Sequence, residues 1–264
     1  MRERGAKINP SLGLYPDPQA GMGLIATGEL EPDEALLFIP PRLQLRWWRG
    51  TEAEAAVGAA WEPPSEQLAL QELVAAEVPA SMWDFRLTCL LLAAQRPEGA
   101  LRAAWGAYVD ALPSSPPELP LLWTGGRLDE AGKKYPRVAE EASKRVVVLR
   151  AIASGLERRK ADTERLFGGP VSSQDLAEAY CYACSRAVRV EGGVMAPILD
   201  LANHSARPNC ALATGKGGVL ALVAQRRVES GEPLSISYGP ASDAQLLLDY
   251  GFTLPEGVNP YGDN

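Results

Sequence analysis

One short segment concentrates side chains that are suited to chemistry. A largely apolar run, 195–202, leads into Asn-His-Ser at 203–205 and then into Pro-Asn-Cys at 208–210. An isolated Asn-His-Ser triplet would most simply be a turn after a strand. The added Pro-Asn-Cys, with Asp200 just upstream, favours instead a cluster of polar donors and acceptors that serves a ligand or a reaction.

His204 is the only histidine in the chain, and this limits the chemistry. A metal centre built from several histidines is excluded. A Ser-His-Asp or Cys-His nucleophile would have to use His204, but the sequence contains no G-x-S-x-G turn to present a serine. Hydrolytic chemistry of that kind is disfavoured, and we predict no metal site.

Two more segments complete the pattern. Gly21-Met-Gly-Leu24 precedes the polar cluster, and Gly231-Glu-Pro-Leu-Ser-Ile-Ser-Tyr-Gly239 follows it. With 203–210, they resemble the G-x-G, G-E-E-L-x-x-x-Y-G and N-H-S-x-x-P-N-C motifs of SET-domain lysine methyltransferases. Three motifs in the order expected for that family are hard to obtain by chance.

Within that family, the closer resemblance is to the branch typified by the Rubisco large-subunit lysine methyltransferase. Ser185-Arg186-Ala187, Tyr250-Gly251-Phe252 and Asn259-Pro260-Tyr261 match its S-R-A, Y-G-F and N-P-Y elements. The resemblance implies an α+β SET fold of small β-sheets with a C-terminal pseudoknot and a large helical insertion. The implied segments are an N-terminal SET segment (12–60), the insertion (61–180), a C-terminal SET segment (181–255) and the start of a post-SET tail (256–264).

The resemblance also implies an activity and a set of site residues. The activity is methyl transfer from S-adenosylmethionine (AdoMet) to a lysine of a protein substrate, with S-adenosylhomocysteine (AdoHcy) as product, and Tyr238 is the implied catalytic residue. The implied cofactor contacts are Ala20, Gly21, Met22, Gly23, Arg186, Asp200, Asn203, His204 and Tyr238. The implied substrate contacts are Ser185, Asp200, Tyr250 and Phe252. On this reading Tyr238 and the Asn203-His204 pair meet in one tunnel although they are distant in sequence.

Two departures keep alternatives open. Members of the branch often carry an acidic residue where this chain has Ala20. They also continue into a C-terminal substrate-binding domain, whereas this sequence stops at Asn264. There are two alternatives. The protein could methylate histidine instead of lysine, or it could be a catalytically weak SET-fold module that binds peptides. The sequence does not specify the substrate protein, the degree of methylation or the oligomeric state.

The elements that would position these residues follow from the apolar patterns. Short apolar runs broken by Gly and Pro predict two or three strands over 21–45, and helical spacing dominates from Ser65. The run 140–167 predicts one long helix or two, ending at Gly168, and the Ser172 N-cap pattern predicts a helix that carries Cys181 and Cys184. After it we predict a buried strand before Asn203, a hairpin over 219–239 and a single helical turn at 246–252.

Composition excludes several classes of protein. The 264 residues carry 26 Lys plus Arg against 33 Asp plus Glu, a net charge of −7, which disfavours nucleic acid as a partner. No apolar run approaches the roughly 20 residues of a membrane span, so no membrane partner is predicted. Four scattered cysteines do not form a disulfide framework, and we expect an intracellular protein in the chloroplast, cytoplasm or nucleus.

Two other motifs have simpler explanations. Cys181-x-x-Cys184 has no second CxxC to complete a zinc site, and we expect both cysteines to be buried in the core. Gly21-x-Gly23 lacks the third glycine and the following helix of a dinucleotide-binding loop, because strand and turn patterns follow it. A Rossmann-type enzyme is therefore disfavoured.

Overall fold

The computed structural model describes residues 1, 5–18, 20–48, 63–190 and 192–262. Part of the predicted N-terminal segment (49–60) and the last two residues of the predicted tail lie outside them. The predicted segment boundaries stay predictions.

The chain forms two compact units. Met1–Gln44 and Met195–Pro240 contribute to the first, which we call the sheet unit. Leu45–Trp48, Pro63–Val194 and Ala241–Asn264 form the second, which we call the helical unit.

Two four-stranded sheets make up the described part of the sheet unit. The strands are β1 (Lys7–Ile8), β2 (Leu12–Asp17), β3 (Gly21–Ala26), β4 (Ala35–Ile39), β7 (Asn203–His204), β8 (Cys210–Thr214), β9 (Leu220–Ala224) and β10 (Pro233–Ile236). One sheet has the order β1-β4-β9-β8 and the other the order β2-β3-β10-β7. Leu24, Leu37, Leu222 and Leu234 are buried from these strands. The remaining short strands, β5 (Leu45–Arg46) and β6 (Val194–Met195), form a separate ladder.

Helices dominate the helical unit. They are α1 (Ser65–Ala75), α2 (Trp83–Gln95), α3 (Arg102–Val109), α4 (Gly126–Lys134), α5 (Pro136–Arg158), α6 (Lys160–Phe167), α7 (Ser173–Arg186) and α8 (Asp243–Tyr250). α2 packs on α7, and the Phe85 and Tyr180 rings lie 5.0 Å apart in that contact. No helix among the described residues is long and apolar enough to span a bilayer.

Several predicted elements are confirmed. The run 140–167 forms two helices, and the second ends where Gly168 takes a left-handed conformation with φ 71°. Ser172 caps α7, because its hydroxyl accepts from the Asp175 N–H while the Asp175 carboxylate accepts from the Ser172 N–H. Cys181 and Cys184 lie buried in α7 as expected.

The predicted hairpin over 219–239 is wrong. β9 pairs with β4 and β8, whereas β10 pairs with β3 and β7. The connection does not turn back on itself: Val228 forms an isolated bridge with Leu30, and the Gly231 N–H donates to the Ala26 carbonyl at 2.7 Å. These contacts carry the chain from one sheet to the other.

Two shorter predictions also need correction. The apolar run before Asn203 is not one strand, because Ile198 has φ 72° and the turn Leu199–Leu201 is a 3₁₀ helix. The segment before Gly251 is a full α-helix of 8 residues rather than one turn, capped by the Ser242 hydroxyl, which accepts from the Gln245 N–H. Strands β1 and β2 and helix α4 were not expected from the sequence.

Candidate functional site

Strand pairing places Asn203 and His204 beside the strand that leads to Tyr238. β7 and β10 run parallel, with Ser235 opposite Asn203 and Ile236 opposite His204. The pairing continues beyond the strands, since the Ser205 N–H donates to the Ile236 carbonyl at 2.9 Å. Two segments separated by about thirty residues therefore end side by side.

His204 and Tyr238 are in direct contact. The Tyr238 N–H donates to Nδ1 of His204 at 3.1 Å, and the two ring centroids are 5.2 Å apart. Burial lowers the pKa of His204, which favours the neutral imidazole that can accept this bond. The Tyr238 hydroxyl donates to the Ala202 carbonyl at 3.0 Å, which fixes the direction of its proton.

Asn209 fastens the same two segments together. Its Nδ2 donates to the Pro233 carbonyl at 2.8 Å, and its Oδ1 accepts from the Ser235 N–H at 2.8 Å. The side chain is 3% exposed. In the sequence, Asn209 was recognisable only as part of the N-H-S-x-x-P-N-C motif. In the structure, its side chain holds β10 in register with the polar cluster.

The two glycines of the G-x-G element have different surroundings. A Cβ on Gly23 would lie 2.7 Å from Cε1 of Tyr15 and 2.9 Å from Nδ2 of Asn203, so only glycine fits between these side chains. Gly21 has φ 82°, and apart from its chain neighbours no atom of a described residue lies within 4 Å of the position that its Cβ would take. Met22 between them is 49% exposed.

The side-chain amide of Asn203 is a donor that suits a ligand. Its Nδ2 is buried and has no hydrogen-bond partner among the described residues. Leaving such a donor unpaired costs about 1–3 kcal/mol. A ligand acceptor within reach of this Nδ2 would satisfy the donor, and AdoMet offers such acceptors.

Asp200 lies one turn before this cluster. It sits in the 3₁₀ turn Leu199–Leu201, and its N–H donates to the Ala196 carbonyl at 3.1 Å. The preceding Ile198 is β-branched and has φ 72°, a conformation that costs about 1–3 kcal/mol and tends to occur at functional sites.

The other predicted site residues belong to the helical unit. Ser185 and Arg186 end α7, and the Ser185 hydroxyl donates to the Cys181 carbonyl at 2.7 Å. The Tyr250 and Phe252 ring centroids lie 6.2 Å apart at the end of α8. Burial raises the pKa of Tyr250 to about 12, so its phenol stays protonated at neutral pH.

Asp249, next to Tyr250, is the centre of a buried ionic network. Its Oδ1 accepts from Arg145 at 2.6 Å, and its Oδ2 accepts from Arg189 and Gln245. The carboxylate side chain is only 3% exposed. The Arg189 guanidinium also lies 5.6 Å from the Tyr250 ring centroid, so the network adjoins a predicted substrate contact.

Cysteine and metal chemistry find no support in the described part of the chain. No group of three or more His, Cys, Asp or Glu side chains there could hold a metal ion. Burial raises the pKa of Cys181 to about 12 and that of Cys184 further. Both thiols are therefore protonated and poor nucleophiles.

Comparison with known proteins agrees with this arrangement. The SET-domain family matches residues 21–239. SET domain-containing protein 4 of Mus musculus is 26% identical over 256 residues, which cover 89% of this chain and 53% of the mouse protein. Ribosomal lysine N-methyltransferase set11 of Schizosaccharomyces pombe is 34% identical over 65 residues, covering 25% of this chain and 17% of the yeast protein.

A solved structure shares the fold at low sequence identity. The SET domain of LSMT bound to lysine and AdoHcy superposes with a TM-score of 0.71 at 24% identity, and the match covers 97% of this chain and 56% of that one. The chain thus spans about half the length of the mouse protein and of the solved chain. Since the family match extends over most of the sequence and includes every residue of the Asn203, His204 and Tyr238 cluster, this chain belongs to the SET-domain family.

Proposed function

We propose that this protein transfers a methyl group from AdoMet to the side-chain amine of a lysine in a protein substrate. The observation that carries the proposal is the cluster in the sheet unit: open space at Gly21, a buried amide donor on Asn203 with no partner among the described residues, and Tyr238 bonded to His204. A buried amide that lacks a hydrogen-bond partner can bind a ligand, and the Tyr238 phenol of the same cluster can orient a reacting group.

AdoMet would be held chiefly by the backbone at 20–23 and by the side-chain amide of Asn203. It supplies an electrophilic methyl group on a sulfonium. Asp200 and His204 are proposed contacts as well, and Arg186 is the proposed partner of a carboxylate because a guanidinium binds carboxylates in a bidentate manner.

For methyl transfer, the substrate lysine must have a neutral amine, and that amine must lie in line with the methyl group and the sulfur that it leaves. Lysine has an ordinary pKa of about 10.4, and desolvation beside a positive charge lowers it. We assign Tyr238 the task of orienting the amine, since its oxygen can accept while its proton is engaged by the Ala202 carbonyl. Ser185, Asp200, Tyr250 and Phe252 are the proposed substrate contacts.

Two similar proteins support lysine as the methyl acceptor. The similar LSMT structure is described as bound to lysine, and the similar Schizosaccharomyces pombe protein is named a lysine methyltransferase. Histidine is the second candidate, and the same experiment distinguishes them.

The proposal is tested by incubating the protein with AdoMet carrying a labelled methyl group and with a cell extract. Labelled proteins are then digested, and the modified residue is located by mass spectrometry. We expect label on lysine. Label on histidine would correct the acceptor, while AdoHcy binding without any labelled protein would favour a peptide-binding module.

Asn203→Ala should weaken AdoHcy binding about tenfold without destabilising the unliganded protein. The lost hydrogen bond accounts for the affinity, and the unliganded protein loses no bond from Nδ2 because that atom has no partner among the described residues. Calorimetry with AdoHcy and thermal unfolding measure the two quantities.

Asn9→Ala is the matched control, because the Asn9 amide donates to Glu34 at 2.7 Å within the same unit. It should lower stability and leave AdoHcy affinity unchanged. Equal AdoHcy affinity for wild type and Asn203→Ala would remove Asn203 from the cofactor site.

A further inference from the structure

The β2–β3 hairpin carries two polar side chains opposite the two glycines. Tyr15 pairs with Gly23 and Asp17 pairs with Gly21 across the ladder. Directly opposed residues of an antiparallel pair, and residues two apart along a strand, share one face. Tyr15, Asp17 and both glycines therefore belong to the same face of the hairpin.

That face, which we call the trough, is closed at one end and open at the other. At one end, Gly23 lies between the Tyr15 ring and the Asn203 amide. At the other end, no described residue beyond the chain neighbours of Gly21 comes within 4 Å of the position that its Cβ would take. The wall along the β2 side consists of Tyr15 and Asp17, so the orphan amide of Asn203 and the carboxylate of Asp17 border the same trough.

Hydrogen bonds from neighbouring residues hold the carboxylate of Asp17 in place, and two of them come from Tyr15 and Ala20. Its Oδ2 accepts from the Tyr15 hydroxyl at 2.8 Å, and its Oδ1 accepts from the Ala20 N–H at 3.0 Å. Burial and the bond to Asp17 raise the pKa of Tyr15 to about 12, so the phenol remains a donor. Because an ionised carboxylate has about four lone-pair sites, it can close this loop and also accept from a ligand.

We propose that Asp17 binds the positively charged α-amino group of AdoMet. The inference rests on the proposed function, since it assumes that AdoMet occupies the trough. An ammonium has donors but no acceptor, and a positioned carboxylate binds it through charge-assisted hydrogen bonds that are about twice as strong as neutral ones. The methyl side chain of Ala20 carries no charge, and Asp17 supplies the charge from the facing strand.

The test is calorimetry of wild type and Asp17→Asn with two ligands, AdoHcy and 5′-methylthioadenosine. The second ligand keeps the adenosine but lacks the amino-acid portion. Asparagine can still accept from the Ala20 N–H, so the loop keeps its shape while the charge is removed. We expect AdoHcy to bind Asp17→Asn about 10- to 100-fold more weakly and 5′-methylthioadenosine to bind both proteins equally.

Glu29→Gln is the control, because Glu29 is an exposed carboxylate of the same unit whose partner is Arg227. It should bind both ligands like wild type. Unchanged AdoHcy affinity in Asp17→Asn, or an equal loss for both ligands, would overturn the proposal. If wild type binds neither ligand, the proposed function fails as well, whereas binding by wild type with no effect of Asp17→Asn removes only this inference.

Discussion

Tyr238→Phe should reduce the rate of methyl transfer by at least about 100-fold while changing AdoHcy affinity by no more than about threefold. Positioned groups that act on the reacting atoms typically contribute at least that factor. The substitution removes one oxygen and keeps both the ring beside His204 and the backbone N–H that donates to it. The loss should therefore fall on the reaction and not on cofactor binding.

The measurement is incorporation of labelled methyl into substrate protein, with AdoHcy affinity from calorimetry. Tyr261→Phe, at a side chain that is 54% exposed, makes the same chemical change and should leave both quantities unaltered. Wild-type turnover in Tyr238→Phe would show that the phenol oxygen has no part in the reaction.

Asp249→Asn should lower the free energy of unfolding by about 3–5 kcal/mol. Removing one member of a buried ionic group leaves charges that water does not reach. Here the variant would leave the Arg145 guanidinium without its counterion, and that side chain is only 16% exposed, whereas the Arg189 side chain is 40% exposed. Chemical denaturation measures the change.

The pH dependence provides a second measurement on the same variant. Burial alone would raise the pKa of Asp249, but the charges of Arg145 and Arg189 outweigh it and hold the pKa below its ordinary value. The stabilisation is therefore present above the unfolded-state pKa of about 3.9 and is lost as pH falls towards the folded-state pKa. The stability difference between wild type and variant should shrink below about pH 3.9.

Asp110→Asn is the control for this effect. Asp110 pairs with Arg102, but its side chain is 62% exposed, and such surface pairs contribute about 0–1 kcal/mol. A stability loss in Asp249→Asn as small as that of Asp110→Asn would contradict the assigned role of the buried network.

The centre of the candidate site was predictable from the sequence because its residues lie in short motifs of fixed type. Asn203, His204 and Tyr238 meet as expected, and the pairing of β7 with β10 provides the reason. Helices were also predictable where caps are local, as at Ser172 and Gly168.

The remaining features depend on partners that are distant in sequence. Arg145 and Arg189 resemble ordinary surface charges until the fold brings Asp249 between them. The exchange of sheets between β9 and β10 depends on where Val228 pairs, which strand composition does not encode. Tyr15 and Asp17 were not among the candidate site residues predicted from the sequence. Their spacing of two residues, just before the G-x-G element, is typical of side chains on one face of a strand and was a usable signal.

Hydrogen exchange with and without AdoHcy tests most directly whether the motif segments form one cofactor site. We expect AdoHcy to slow exchange together in peptides that cover 20–24, 202–206 and 235–239. Slower exchange confined to other parts of the chain, or no change in these three segments at a saturating ligand concentration, would contradict the assignment.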